Sequence, residues 1–168
     1  YLDVGCLSND AYVQHLGVTL YSLLENCTCP EKIKIHVVDG GISNKNKQKL
    51  SYLVRKFKAD IVYLKPDLSL LKGIEISKRF GIETYYRFSL IETAKTNKLL
   101  SIDSDMVVKG DVKKLFDLKF KDNIIFAVKD LDLPIPNKIK LGLKENTAYF
   151  NSGLLLIDTK RWKKNKIT

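Results

Sequence analysis

The chain has 168 residues, 45% hydrophobic and 29% charged, which fits one domain with a sizeable core and excludes a disordered chain. No apolar run approaches the ~18 residues of an ordinary transmembrane helix. A net charge of +10, from 29 basic and 19 acidic residues, favours anionic partners, but the lysines are scattered and no DNA- or RNA-binding signature is present, so nucleic acid is not expected.

The opening Asp3-Val4-Gly5-Cys6-Leu7 predicts a short strand, broken by Ser8-Asn9-Asp10. Val13, Leu16, Leu20, Leu23 and Leu24 recur at helical spacing, so a helix covers Tyr12 to Glu25, capped by Asn9 or Asp10. Ile33, Ile35 and Val37 alternate along a second strand, Lys32 to Val38. After Asp39-Gly40-Gly41, Ser43 caps a helix whose buried stripe is Leu50, Leu53, Val54 and Phe57. Asp60 to Leu64 is a third strand, stopped by Pro66. Leu68 to Phe80 reads as a loop with helical pieces, and Thr84 then caps a helix to Lys95. Lys98 to Ile102 is a buried strand, Leu115 and Phe116 fit a short helix, and Ile124 to Val128 is another strand. Asp130 to Asn146, with Pro134, Pro136 and Gly142, reads as an irregular excursion before a final strand, Phe150 to Ile157. This alternation predicts an α/β fold with a mostly parallel central sheet flanked by helices.

Three cysteines, Cys6, Cys27 and Cys29, form an odd set without a disulfide framework. Cys27-Thr28-Cys29 lacks the second pair of a tetrahedral metal site. Free thiols in a reducing, cytoplasmic compartment are expected. The chain shows no secretory leader but starts at Tyr1, which leaves an upstream segment open. The basic run Lys160 to Lys166 around Trp162 reads as a solvated helix start, with peripheral contact to an anionic membrane as the alternative.

The chemistry centres on Asp103-Ser104-Asp105, at the end of the Lys98 to Ile102 strand. Strand residues two apart point to one side, so the two carboxylates are expected to converge beyond the strand end, where open α/β sheets bind ligands. Like charges there call for a cation, and hard oxygen ligands favour Mg²⁺, Mn²⁺ or Ca²⁺. On this view, replacing either aspartate by asparagine relieves repulsion and leaves the fold intact. A simple turn is the bland alternative.

The chain resembles the amino-terminal part of a glycosyltransferase family 8 enzyme, the family of bacterial lipopolysaccharide galactosyl- and glucosyltransferases. The resemblance spans essentially the whole chain and rests on five ordered motifs. They are Leu7-Ser8-Asn9-Asp10-Ala11-Tyr12 with His15-Leu16, Ile35 to Asp39, Thr84 to Phe88, Leu100 to Val108, and Phe150 to Ile157. It implies a GT-A fold, retaining transfer of glucose or galactose from a UDP-sugar to a saccharide or glycolipid acceptor, and a Mn²⁺ or Mg²⁺ ion. By the same resemblance, Asp103 and Asp105 bind the metal and Tyr12 stacks on uracil. Leu7, Ser8 and Asn9 line the nucleoside pocket, and Ser104 lies by the ribose. Arg87, Asn151 and Ser152 match donor-sugar positions, and Asp130 matches one near sugar and acceptor. The family usually has Asp at the position of Asn9 and often Asn at that of Ala11. Its later Asp-Gln element and metal-binding His would fall beyond Thr168, so residues 1–168 are expected to be one catalytic domain truncated at its carboxyl end. His15 and His36 match other positions.

Two other readings compete. A domain that binds the UDP-sugar without transferring it would keep the same fold. Asp103 to Val107 also fits the D-x-D-x-[TV] pattern of haloacid-dehalogenase-like phosphatases, with Asp103 as nucleophile. In that fold, however, the motif ends the first strand, and here about a hundred residues precede it.

Overall fold

The computed structural model describes residues 1–73, 82–130 and 135–167. Six strands form one sheet in the order β3-β2-β1-β4-β6-β5. They are β1 (Leu2–Ser8), β2 (Ile33–Asp39), β3 (Asp60–Leu64), β4 (Lys98–Ile102), β5 (Ile125–Asp130) and β6 (Tyr149–Asp158). The first four pair in parallel. β6 is antiparallel to both β4 and β5, so it alone runs against the rest.

Both faces of the sheet are covered, so β1, β2 and β4 are buried along most of their length. On one face Val4, Cys6, Ile35, Val37, Leu100 and Ile102 pack against α1 (Val13–Glu25) and α2 (Asn44–Lys56) through Leu16, Leu20, Leu23, Leu50 and Val54. On the other, Val38, Leu99, Leu155 and Ile157 meet Leu90 and Ile91 of α3 (Tyr86–Thr93) and Trp162 of α6 (Thr159–Lys164). Gly5 sits where a Cβ would collide with the Leu90 side chain, so its lack of a side chain lets α3 lie directly on β1.

Several expected boundaries shift for local reasons. The helix expected from Thr84 to Lys95 begins as a 3₁₀ turn over Ile82–Tyr85, becomes α-helical at Tyr86 and stops at Thr93. Thr84 therefore lies inside the turn, and the residue before the first helical position is Tyr85, with no side-chain cap. Ala94 is already extended because the chain must enter β4. The excursion after Asp130 is less irregular than expected, for α5 (Ile135–Lys140) forms within it. β5 starts at Ile125 and reaches Asp130, two residues past the expected end, because β6 supplies partners as far as Tyr149. Leu68–Leu71 is a 3₁₀ turn, as expected of that loop, while residues 74–80 lie outside the described ones. A short helix, α4 (Lys113–Phe116), completes the set. Cys6, Cys27 and Cys29 are free thiols, and burial pushes the Cys6 thiol up to about 12.

Candidate functional site

The carboxyl ends of β1 and β2 are neighbours at one edge of the sheet, and β4 ends beside β1. β6 is reversed, so its amino-terminal half starts at that edge, and β5 ends there at Asp130. The topology therefore gathers Leu7, Ser8, Asn9, Asp103, Ser104, Asp105, Asp130, Asn151 and Ser152, scattered through the sequence, along one rim. Tyr12 precedes α1 at the same rim, and Arg87 reaches in from the first turn of α3.

The β1 and β2 ends are tied together. The Gly40 amide donates to the Ser8 carbonyl at 2.8 Å, and a Cβ on Gly40 would lie 3.0 Å from that oxygen. The Asn9 side chain accepts from the Tyr12 amide at 3.1 Å and closes the turn that leads into α1. The residue before the first helical position is Tyr12, with no side-chain cap, so the expected capping of α1 by Asn9 or Asp10 is not met. Asp10 does not cap α1. Its Oδ1 accepts from the Ser43 amide and the Asn46 side chain, both at 2.8 Å, and these bonds, the Ser43 amide foremost, hold its carboxyl below the usual range. Ser43 in turn caps α2 by accepting from the Asn46 amide. Tyr12 is 51% exposed, with its ring centroid 5.4 Å from that of His15. It is a surface aromatic and not a core residue at a helix start.

Asp103 extends the β4–β6 ladder by one step, its amide donating to the Gly153 carbonyl at 2.8 Å. Beyond it the chain turns at Ser104-Asp105. Strand alternation thus stops at Asp103, and the relation between the two carboxylates is set by a turn, contrary to the expectation from strand spacing. The two aspartates also differ in surroundings. Asp103 accepts a charged hydrogen bond from Arg87 Nη2 at 2.6 Å, while Arg87 Nη1 donates to the Ser152 carbonyl at 2.5 Å. The Arg87 side chain is 11% exposed, and its Nε finds no hydrogen-bond partner among the described residues. Burial lowers the guanidinium's pKa, and the neighbouring Asp103 carboxylate opposes that shift. Removing the Asp103 charge would strand a buried cation, so the expectation that asparagine is harmless fails at this position. Asp105 is exposed, and among the described residues its carboxylate has no hydrogen bond or ion pair.

A β-bulge shapes the β6 side. Between Ala127 and Val128 the register jumps, with Ala127 opposite Leu155 and Val128 opposite Asn151. The extra β6 residues turn the Ser152 carbonyl to Arg87 and let Asn151 Oδ1 accept from the Gly153 amide at 2.7 Å. A Cβ on Gly153 would lie 2.7 Å from Asp103 Oδ2 and 2.9 Å from Asn151 Oδ1. Gly153 therefore leaves the space that the Asp103 carboxylate fills. Only the lack of a Cβ matters there, which no sequence pattern announces.

A hard divalent cation fits the chemistry of Asp103 and Asp105, whose four carboxylate oxygens are the right donor type. It is not enclosed by them. Among the described residues no third His, Cys, Asp or Glu joins the pair, so most of an octahedral shell would come from water or ligand oxygens. His36 is remote in role as well as sequence: it is buried and its Nε2 lies 2.7 Å from Asp3 Oδ1. The Asp103 turn follows the fourth strand in chain order, which counts against the phosphatase reading.

The chain is similar in sequence and fold to known proteins. The sequence profile described as glycosyl transferase family 8 matches residues 4–168. The chain is 33% identical to general stress protein A of Bacillus subtilis over 168 residues, covering 98% of this chain and 58% of that protein. It is 28% identical to a lipopolysaccharide 1,2-glucosyltransferase of Escherichia coli, covering 95% of this chain and 48% of that protein. Among solved structures, the galactosyltransferase LgtC in complex with donor and acceptor sugar analogs superposes with a TM-score of 0.84 at 29% identity, over 97% of this chain and 60% of that one. The fold is accordingly of the GT-A type. The chain spans about half the length of the curated relatives it matches.

Proposed function

The chain belongs to glycosyl transferase family 8, and on that premise we propose that the protein transfers a hexose, glucose or galactose, from a UDP-sugar to a saccharide, lipopolysaccharide or other glycan acceptor, with retention of configuration. The observation that carries this reading is the gathering of Asp103, Asp105, Arg87 and Asn151 on one sheet rim beside an exposed Tyr12.

In this reading Tyr12 offers its ring to uracil, with Leu7, Ser8 and Asn9 beside it. The Ser104 hydroxyl already donates to the Leu7 carbonyl, so it would meet the ribose as an acceptor. Asp103 and Asp105 would hold Mn²⁺ or Mg²⁺, which when bound supplies Lewis-acid neutralisation of the departing diphosphate. Arg87 holds Asp103 and the Ser152 backbone in fixed relation, so the donor sugar enters a preformed corner and orientation is the chain's main contribution. Asn151 and Ser152 would lie with Arg87 around the donor sugar, and Asp130 would lie near the sugar and the acceptor. Among the described residues the rim offers no unambiguous protein nucleophile, which favours same-face attack by the acceptor through an ion-pair-like transition state. Residues 1–168 are read as part of one catalytic domain.

Peripheral contact with an anionic membrane would use the exposed Lys160, Arg161 and Lys164 of α6. Among the described residues, no helix is long and apolar enough to cross a membrane. The incomplete ligand set and the engagement of Asp103 by Arg87 favour one second reading, a domain that binds the UDP-sugar without transferring it.

The test is UDP release from UDP-glucose and UDP-galactose in separate reactions, with Mn²⁺ and with a chelator, alongside a generic phosphatase substrate. Chelator-sensitive release from one donor is expected. Metal-independent release, or hydrolysis of the phosphatase substrate, would contradict the proposal, and tight binding without release would favour the second reading.

A further inference from the structure

Thr19 is the one polar side chain among the buried residues of α1, set in a stripe of Val13, Leu16, Leu20, Leu23 and Leu24. Packing alone would be served by an apolar residue there. A helical threonine commonly bonds a carbonyl one turn back, but this hydroxyl reaches across the fold. Its oxygen lies 2.9 Å from the Ser104 carbonyl and 2.8 Å from the Met106 carbonyl, and it accepts from the Met106 amide at 3.0 Å. The Ser104 carbonyl and the Met106 amide belong to the peptides on either side of Asp105, and the Met106 carbonyl to the next one. One helical turn on, Ser22 Oγ accepts from the Val108 amide at 3.0 Å, and Asn26 Nδ2 donates to the Val108 carbonyl at 2.9 Å. One side of α1 thus serves residues 104–108 as a neighbouring strand would, although no strand lies there.

Asp103 is fixed through its side chain, by Arg87 and by the space at Gly153. Asp105 has no such partner among the described residues, so its place is set by its backbone alone. We infer that Thr19 is a positioning residue for Asp105, the backbone counterpart of what Arg87 does for Asp103. The consequence for function rests on the proposed role of the two aspartates at the donor diphosphate. The hydroxyl carries one proton, so it donates to one of the two carbonyls at a time while accepting from Met106. Valine keeps the shape and deletes both roles, whereas serine keeps both and deletes a methyl group.

The test compares wild type, Thr19→Val and Thr19→Ser in two measurements. In the ligand-free protein, amide exchange at Met106 should quicken at least ~10-fold in Thr19→Val and stay slow in Thr19→Ser. Exchange at Val108, held by Ser22, should change little, whereas loss of the fold would quicken both. In the second measurement, UDP affinity is read with and without Mn²⁺. The Mn²⁺-dependent tightening should fall ~10-fold or more in Thr19→Val, with metal-free UDP affinity unchanged, and return in Thr19→Ser. Unchanged Met106 exchange in Thr19→Val overturns the inference, as does full Mn²⁺ tightening in that variant. Should Thr19→Val not fold, a Thr19→Ser protein with fast Met106 exchange overturns it, and one with wild-type exchange and tightening supports it. Absence of Mn²⁺ tightening in wild type would contradict the metal role of the aspartates, and Met106 exchange would then decide the Thr19 clamp by itself.

Discussion

Gly153→Ala adds a single methyl group at the point where β6 meets the Asp103 carboxylate. The backbone there has no left-handed torsion, so alanine is conformationally acceptable, and reduced freedom of the unfolded chain would by itself stabilise by about 0.4–1 kcal/mol. The methyl carbon, however, would lie 2.7 Å from Asp103 Oδ2 and 2.9 Å from Asn151 Oδ1. Asp103 cannot simply rotate away, because its Oδ1 is held by Arg87 at 2.6 Å. Relief therefore requires weakening that ion pair or shifting the bulge. A hydrogen bond between charged groups contributes about 1.5–3 kcal/mol, to be discounted because the Asp103 side chain is 40% exposed. The net cost should be about 1 kcal/mol, a fall in Tm of about 2–4 °C for a chain of this size. Binding should suffer more than stability, because the displaced carboxylate is one of the two proposed for the diphosphate site. A loss of 10-fold or more in Mn²⁺-dependent UDP affinity is expected, equivalent to about 1.4 kcal/mol. Calorimetric titration of UDP beside thermal unfolding reads both quantities. Wild-type UDP affinity in folded Gly153→Ala would refute the reasoning that Asp103 needs that space.

Tyr12→Ala should weaken UDP binding about 5- to 150-fold, since a base–aromatic contact contributes roughly 1–3 kcal/mol. Its Tm should barely move, because the ring is 51% exposed; lost stability with unchanged affinity would contradict the stacking role. Acid should loosen the loop between β2 and α2. Burial raises the Asp39 pKa, but Lys47 and the Ile42 and Gly41 amides outweigh it and hold the carboxyl below its ordinary value. Asp10 is lowered as well, by the Ser43 amide foremost. A depressed carboxyl stabilises fully above its unfolded pKa of about 3.9, and that contribution is lost as pH falls through the folded value. Thermal unfolding from pH 6 down to 2.5 should show this loss in wild type and much less of it in Asp39→Asn; equal acid sensitivity would argue against the assignment.

Much of this was legible in the sequence because the determinants were local. The α1 stripe and the alternation of β2 emerge nearly as spaced, and Ser43 caps α2 as its position before Asn44 suggests. The motifs around Asp103 and Asn151 marked the rim, since strand ends in a mostly parallel sheet converge. Less legible were features that depend on distant partners. Neither Asn9 nor Asp10 caps α1, because Asn9 closes the turn before the helix and α2 draws Asp10 to Ser43 and Asn46. The early stop of α3 follows from the entry into β4, and the pairing of Arg87 with Asp103 joins residues 16 positions apart. Thr19 carries no signal in the sequence beyond being a threonine within an otherwise apolar buried stripe. The bulge lies between Asn151 and Leu155, where β6 keeps its register on β4 and shifts it on β5, which no local pattern announces.

The central claim is that Asp103 and Asp105 form a working cation and diphosphate site. The most direct measurement is titration of UDP into the protein at zero and saturating Mn²⁺, for wild type and for Asp105→Asn. Asp105 is the cleaner probe, because it is exposed and has no partner among the described residues, whereas Asp103→Asn would also leave Arg87 unpaired. Mn²⁺ should tighten UDP binding at least ~10-fold in wild type, and UDP should tighten Mn²⁺ by the same factor. Asp105→Asn should abolish that coupling with Tm unchanged. Equal UDP affinities with and without Mn²⁺ in the folded wild-type protein would contradict the account and reduce Asp103-Ser104-Asp105 to a turn.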